Sequence, residues 1–378
     1  MAQGAVIPTD TMVGSVKGRS LWADARARLF RNKAAVVSIG WLILMALACI
    51  IGPEITGHRY DQIYTEYSRI PASLTAYPKP EQITPAVERI GSRLRAKPEG
   101  IAVEGDTLRA TFVGQRPIDE RSLAFFSRSD MFGEAQVTER GEEGRRLTVE
   151  VPIERRHFYF GTDTNGRDLL TRTLFAGRIS LSIGLLATFV ALVIGVLYGA
   201  TSGYLGGRID VAMMRFVDIL YSLPFIFFVI MLVVFFGRNF ILMFIAVGAV
   251  TWLDMARIVR GQTLSIKRQE FVQAAEALGV GTKGIIRRHV IPNTLGPVVV
   301  YMTLLVPKVI LLESFLSFLG LGVQEPMTSW GVLIADGARN IQGAAFMLIF
   351  PSIFLVSTLF ALNFIGDGLR DALDPKDR

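Results

Sequence analysis

Residues 179–203 read ISLSIGLLATFVALVIGVLYGATSG, twenty-five residues without one charged side chain. An α-helix needs about 20 mostly apolar residues to cross hydrocarbon, where backbone N–H and C=O groups meet no water and must bond within their own segment. The stretch therefore predicts a membrane span. Five more have the same character: 34–52, 216–236, 240–256, 296–318 and 344–366. The fourth in chain order is short, and Pro307 and Lys308 interrupt the fifth. The expected fold class is an all-α polytopic membrane protein with six transmembrane helices.

Composition agrees. The 378 residues would suggest two or three soluble domains at about 150 residues each. Yet 51% are hydrophobic and only 19% charged, with mean hydropathy +0.41, whereas soluble domains carry about 25% charged residues. A single cysteine, Cys49, excludes an internal disulfide framework and Cys-cluster metal sites. His58, His157 and His289 are far apart and lack HExxH-like spacing, which speaks against a histidine metal centre. Net charge +7 and a pI near 9.6 invite a nucleic-acid reading. The distribution of that charge excludes it.

Positive loops stay on the cytoplasmic side of a membrane. With the N-terminus inside, segments 1–33, 204–215, 257–290 and 367–378 carry 6, 2, 7 and 3 Lys+Arg, against only Arg238 and Arg339 in the short outer loops 237–239 and 319–343. Both termini are expected in the cytoplasm. Segment 53–178 holds 19 Lys+Arg and 19 Asp+Glu, so it is neutral, and long loops translocate regardless of charge. Ala46-Leu47-Ala48-Cys49 imitates a cleavage site, but the 33 residues before the first span are too long for a signal n-region. The first span is expected to remain as an anchor.

The organisation read from this is a cytoplasmic tail 1–33, a first span 34–52, an outer insert 53–160, a five-helix core 161–366 with a cytoplasmic loop 257–290, and a tail 367–378. In the insert, Thr84-Pro85 with Val87, Ile90 and Leu94 reads as a capped amphipathic helix with proline at its first position. IAVEGDTLRATF (101–112) and AQVTERGEEGRRLTVEV (135–151) read as two hairpins turning at Gly105 and around Gly141 and Gly144. A small α+β module is expected, as a packing accessory or as a docking face for an external partner. His58 and His157 flank it as interfacial residues.

The loop RIVRGQTLSIKRQEFVQAAEALGVGTKGIIRRHV (257–290) carries a charge of +5. Glu270-Phe271 through Leu278 place Phe271, Ala274, Ala275 and Leu278 on one narrow apolar stripe with small side chains at its centre. Gly279, next to Val280, and then Gly281 end the helix, since glycine tolerates left-handed geometry. A lipid-surface helix would carry larger apolar side chains. This one is shaped for a protein groove.

The segment resembles the EAA loop of ATP-binding-cassette importer permeases, with Ala274, Ala275, Gly279, Ile291 and Pro292 at the matching positions and Gln273 where the family usually has Glu. Phe160-Gly161-Thr162-Asp163, Gly166-Arg167-Asp168, Gly177–Leu181 (GRISL), Arg257–Gly261 (RIVRG), Glu313–Gly322 (ESFLSFLGLG) and Gly366–Pro375 (GDGLRDALDP) are similar to the C-type subunit of the peptide and nickel permeases. The outer insert is longer than in the commonest members, so the microcin C-type branch stands beside the oligopeptide and dipeptide branches.

The resemblance implies a type I importer permease fold in the bacterial inner membrane. It also implies import of peptides or related solutes, nickel among them, and four partners: a second permease in a heterodimer, two ATPases and an extracytoplasmic substrate-binding protein. The chain has no GxxxxGK[ST] loop, and GVGTKG lacks the required order. ATP and its magnesium therefore belong to the partner subunits, and this chain is a transport subunit without catalytic residues. The coupling positions implied are Glu270, Phe271, Ala274, Ala275, Leu278, Gly279, Val280 and Gly281. Arg260, Lys267, Arg268, Arg287 and Arg288 are expected mainly to anchor the loop beside anionic lipid.

Intramembrane charges cost about 3 kcal/mol each unless they face a partner or water, which makes Lys308 and Glu313 candidates for the translocation pathway. They lie five apart, about 140° around a helix, so a direct pair between them is not expected. Asp218 and Asp254 lie near the cytoplasmic ends of their spans. Gly195, Gly199 and Gly203 form a small-residue ridge suited either to permease–permease contact or to internal packing. An ion-coupled secondary transporter would need inverted repeats and midplane carboxylate relays. A membrane hydrolase would need a Ser/His/Asp or metal constellation, which is not visible.

Overall fold

Asn32 holds an extended backbone and its side chain accepts from the Ala35 N–H at 3.2 Å, which stops one helix and starts the next. In the computed structural model, which describes residues 21–237 and 240–373, this cap separates α1 (Leu21–Arg31) from α2 (Lys33–Ile55). The segment read as the N-terminal tail thus carries a short helix. It packs against the last helix, α13 (Phe346–Leu373), where a Cβ on Gly368 would stand 3.3 Å from Leu29 Cδ1 of α1 and 2.7 Å from Ala35 Cβ of α2.

The second span is longer than its apolar run. Asp168 caps α5 (Leu169–Leu205) by accepting from the Thr171 N–H at 2.7 Å, so the helix starts ten residues before the uncharged stretch. Its partner is α8 (Phe240–Ile266). A Cβ on Gly199 would stand 2.3 Å from the Ala256 carbonyl oxygen, and one on Gly195 2.5 Å from Met255 Cβ. Gly203 meets Thr263 in the same way, at 2.8 Å. The ridge is therefore internal packing between these two helices.

The third expected span is not continuous. Pro224 has no N–H to give, and its ring holds Leu223 in an extended conformation. The segment divides into α6 (Gly207–Ser222) and α7 (Phe225–Phe236), bent by 79°. The fifth runs the other way from expectation. After α9 (Glu270–Ala277), α10 (Thr282–Ile285) and one π-helical turn (Ile286–Val290), α11 (Ile291–Phe318) continues straight through Pro307 and Lys308. Among the described residues, four helical segments are long and apolar enough to cross a membrane: Lys33–Ile55, Leu169–Leu205, Thr282–Phe318 and Phe346–Leu373. The bent pair adds a fifth if its arms form one span. A short helix, α12 (Trp330–Arg339), lies between α11 and α13.

Proline inside α2 shows how the membrane part completes its bonding. Pro53 leaves the Cys49 carbonyl without its helical partner, and Arg178 of α5 donates there through Nε at 2.7 Å. Its Nη2 donates to the Ile50 carbonyl at 2.6 Å. One side chain from the neighbouring helix repairs the gap.

Residues of the insert form an α+β module. Strands β1 (Ala96–Glu104), β2 (Thr107–Gly114), β3 (Gln136–Gly141) and β4 (Arg146–Pro152) make an antiparallel sheet in the order β1-β2-β4-β3, so the two expected hairpins join through β2 and β4. Leu108, Ala110 and Phe112 face Val151, Val149 and Leu147 in register, all buried. Helix α3 (Pro80–Leu94) covers this face with Ile83, Val87, Ile90 and Leu94. It starts at Pro80 and not at Pro85, because Gln82 Oε1 accepts from the Lys79 N–H at 2.9 Å and closes the first turn earlier. A one-turn helix, α4 (Ala124–Ser127), adds Phe126 to the core. Tyr64, Tyr67, Tyr77 and Phe158 tie the module to its stem. His58 stacks on Phe158 and contacts the Tyr64 hydroxyl at 2.9 Å, whereas His157 is exposed.

Candidate coupling loop and membrane route

The coupling segment is a helix closed at its end by backbone bonds alone. Gly279 takes φ +78°, the Gly279 N–H donates to the Glu276 carbonyl and the Val280 N–H to the Ala275 carbonyl, each at 3.0 Å. The apolar stripe read from the sequence splits in two. Val272 and Ala275 are buried against the membrane core with Ile285 and Val290. Phe271, Ala274 and Leu278, spaced i, i+3, i+7, are exposed, Leu278 at 84%. Ala275 thus seats α9 on its own chain instead of presenting it, and Val272, which the stripe omitted, is its companion.

Two polar bonds fasten α9 and the turn that precedes it to the last turn of α5. The Tyr204 hydroxyl donates to Glu276 Oε1 at 2.6 Å, and Lys267 Nζ donates to the Tyr204 carbonyl at 2.6 Å. Arg260 grips both oxygens of Asp210, at 2.6 and 2.7 Å, while Ser202 donates to the same carboxylate at 2.5 Å. Arg260 and Lys267 are therefore internal clamps, not lipid anchors; they turn inward because Asp210 and the Tyr204 carbonyl need donors. Arg268, Arg287 and Arg288 remain exposed.

The two intramembrane candidates part company. Glu313 is wholly buried, accepting from Ser317 at 2.7 Å and Ser180 at 3.2 Å, and Ser180 in turn accepts from the Trp330 N–H. It joins α5, α11 and α12 and does not face a route outside the chain. Lys308 is 59% exposed and pairs with Asp254 of α8 at 2.7 Å. Asp218 pairs with Arg257 at 2.9 Å, and the Arg257 guanidinium lies 4.2 Å from the Tyr221 ring centroid.

A second polar centre escaped the sequence reading. Asp163 receives Arg167 Nε at 2.7 Å and Arg172 Nη1 at 2.5 Å, and Arg167 reaches Glu325, in the connection before α12, at 2.7 Å. Arg172 is 1% exposed. Burial pushes the nearby Asp336 carboxyl above its usual range, while Arg172 and Arg339 pull it back. The available signal was the FGTDTNGRD text (160–168), whose charges stand immediately before a span that carries Arg172 in its first turn.

With this geometry in place, comparison fixes the class. Residues 175–378 match the binding-protein-dependent transport system inner membrane component family, and the chain belongs to it: a multi-pass permease of a bacterial ATP-binding-cassette importer. Residues 20–73 match the N-terminal TM domain of oligopeptide transport permease C. The chain is 47% identical to the oligopeptide transport system permease protein OppC of Escherichia coli, covering 96% of this chain and 94% of that one. It is 44% identical to the Haemophilus influenzae OppC over 96% and 91%. The Bacillus subtilis dipeptide permease DppC is 50% identical over 58% of this chain and 69% of its own length. The two OppC alignments take in the insert, so its length does not set the chain apart from oligopeptide relatives.

Proposed function

We propose that this chain is the C-type half of a heterodimeric importer for oligopeptides, crossing the inner membrane six times with both termini in the cytoplasm and the α+β insert in the periplasm. Two ATPase subunits bind ATP and magnesium, a second permease completes the route, and a binding protein delivers the peptide. The observation that carries the reading is the exposed Phe271–Ala274–Leu278 stripe on a helix fastened by Tyr204 to a long span. ATP-driven closure of an ATPase pushes that stripe, and α5 and α8 transmit the displacement because their glycine contact leaves no slack. The names of the full-length relatives support oligopeptides as the cargo.

The test is peptide uptake by the reconstituted complex. Replacing Ala274 by Trp is expected to abolish ATP-dependent uptake while the complex still assembles without nucleotide. Normal uptake by that variant would remove the coupling role.

A further inference from the structure

One stripe of α11 is open along its length: Tyr301 and Leu304 are half-buried, and Lys308, Leu311 and Phe315 are exposed. Lys308 is the one charge on it. Its ammonium has three donors, one of which is used on Asp254 Oδ2. Tyr301 lies within electrostatic reach of Asp254 and Tyr221. Three residues further along α8, Arg257 repeats the arrangement with Asp218 and Tyr221. The result is a track of alternating sign, Lys308, Asp254, Arg257, Asp218, interleaved with tyrosine.

Lipid is a poor neighbour for it, since each charge costs about 3 kcal/mol in hydrocarbon. A purely structural pair is also the wrong shape. In the ion pairs that hold this chain together, Arg172 with Asp163 and Arg260 with Asp210, the carboxylate is enclosed and accepts several bonds. Lys308 is open on the side its apolar neighbours leave free.

We propose that Lys308 and Asp254 form a membrane-embedded subsite for the charged ends of a zwitterionic peptide, Lys308 taking the carboxylate and Asp254 the ammonium. The inference rests on the peptide-import reading above. Peptides of varied sequence share little charge beyond their two termini, and a pre-formed pair of opposite charges offers a partner for each. Exchange of one ion pair for another changes the balance of charge little, which keeps the binding weak enough for release.

The test is uptake by the complete importer in liposomes, with its binding protein, of one tripeptide in free, C-amidated and N-acetylated forms. Each rate is taken relative to wild type for the same peptide, which cancels the binding protein's preference. Lys308→Gln is expected to lower uptake of peptides with a free carboxylate about tenfold, with less than about twofold change for the amidated one, and Lys308→Arg to restore it. Asp254→Asn is expected to discriminate in the same way between free and acetylated amines. Equal loss for all three peptides, recovered by the exchange K308D/D254K, would show a structural pair and overturn the subsite, as would unchanged uptake. If wild type moves none of the peptides, the import reading itself fails and the subsite falls with it.

Discussion

The Tyr204 hydroxyl donates to Glu276 Oε1 at 2.6 Å, across the junction between the last turn of α5 and the helix that faces the ATPase in this account. Lys267 closes the same junction on the Tyr204 carbonyl. Helix α9 is thus joined to a membrane span by a bond to a charged group, and the turn before it by a second, not only by the loop that connects it.

Tyr204→Phe keeps the buried ring and removes the bond. A hydrogen bond to a charged group contributes about 1.5–3 kcal/mol. The expected result is ATP hydrolysis near wild type with fewer peptides moved per ATP, measured by uptake and phosphate release in the same liposomes. An unchanged ratio would mean that the junction transmits no force.

The glycine contact between α5 and α8 gives a sharper contrast. Gly199→Val drives a side chain into the Ala256 carbonyl, whereas a Cβ on Gly248 meets Val190 Cγ1 at an ordinary 3.7 Å. Gly199→Val should prevent a stable complex, seen as loss of the intact peak in size-exclusion chromatography. Gly248→Ala should elute and melt as wild type does.

Arg178 is the donor that replaces the N–H missing at Pro53. Removing one partner of a buried bond leaves the other unsatisfied, at about 1–3 kcal/mol. Arg178→Met should lower the thermal midpoint of the detergent-solubilised complex, and Pro53→Ala should recover part of it by restoring the helical bond. No recovery in the double variant would contradict the repair.

Glu313→Leu strips the acceptor from Ser180 and Ser317 and is expected to cost about 1–3 kcal/mol of stability. Uptake per folded complex should stay the same. A changed apparent affinity for peptide would put Glu313 back on the route.

How much of this was legible in the sequence depended on the kind of signal. Apolar length located every long helix, but not its true ends, because the Asp168 cap and the polar residues beyond it extend α5 past its uncharged stretch. Pro224 broke a span where Pro307 did not, and hydropathy treats the two alike: the first follows an extended residue at which the chain changes direction, the second is absorbed within one uninterrupted helix. In the loop, spacing gave the helix and its glycine end, yet not which face turned inward. That was decided by Val272 and Ala275 packing with Ile285 and Val290, contacts that span several elements. Ser317 lies one turn from Glu313, but Ser180, Asp254 and Asp210, the partners of Glu313, Lys308 and Arg260 on other helices, are 50 or more residues away, so no local spacing revealed them.

The most direct test uses the chain's own chemistry. Cys49 is its single cysteine and is buried, so a cysteine placed at the exposed Leu278 is the one reactive thiol on this subunit. In membranes holding the whole importer, a short bifunctional cross-linker should join position 278 to an ATPase subunit, while a cysteine at buried Val272 should give no product. Labelling of position 278 by an impermeant reagent from the periplasmic side, or its failure to join any ATPase, would contradict the account.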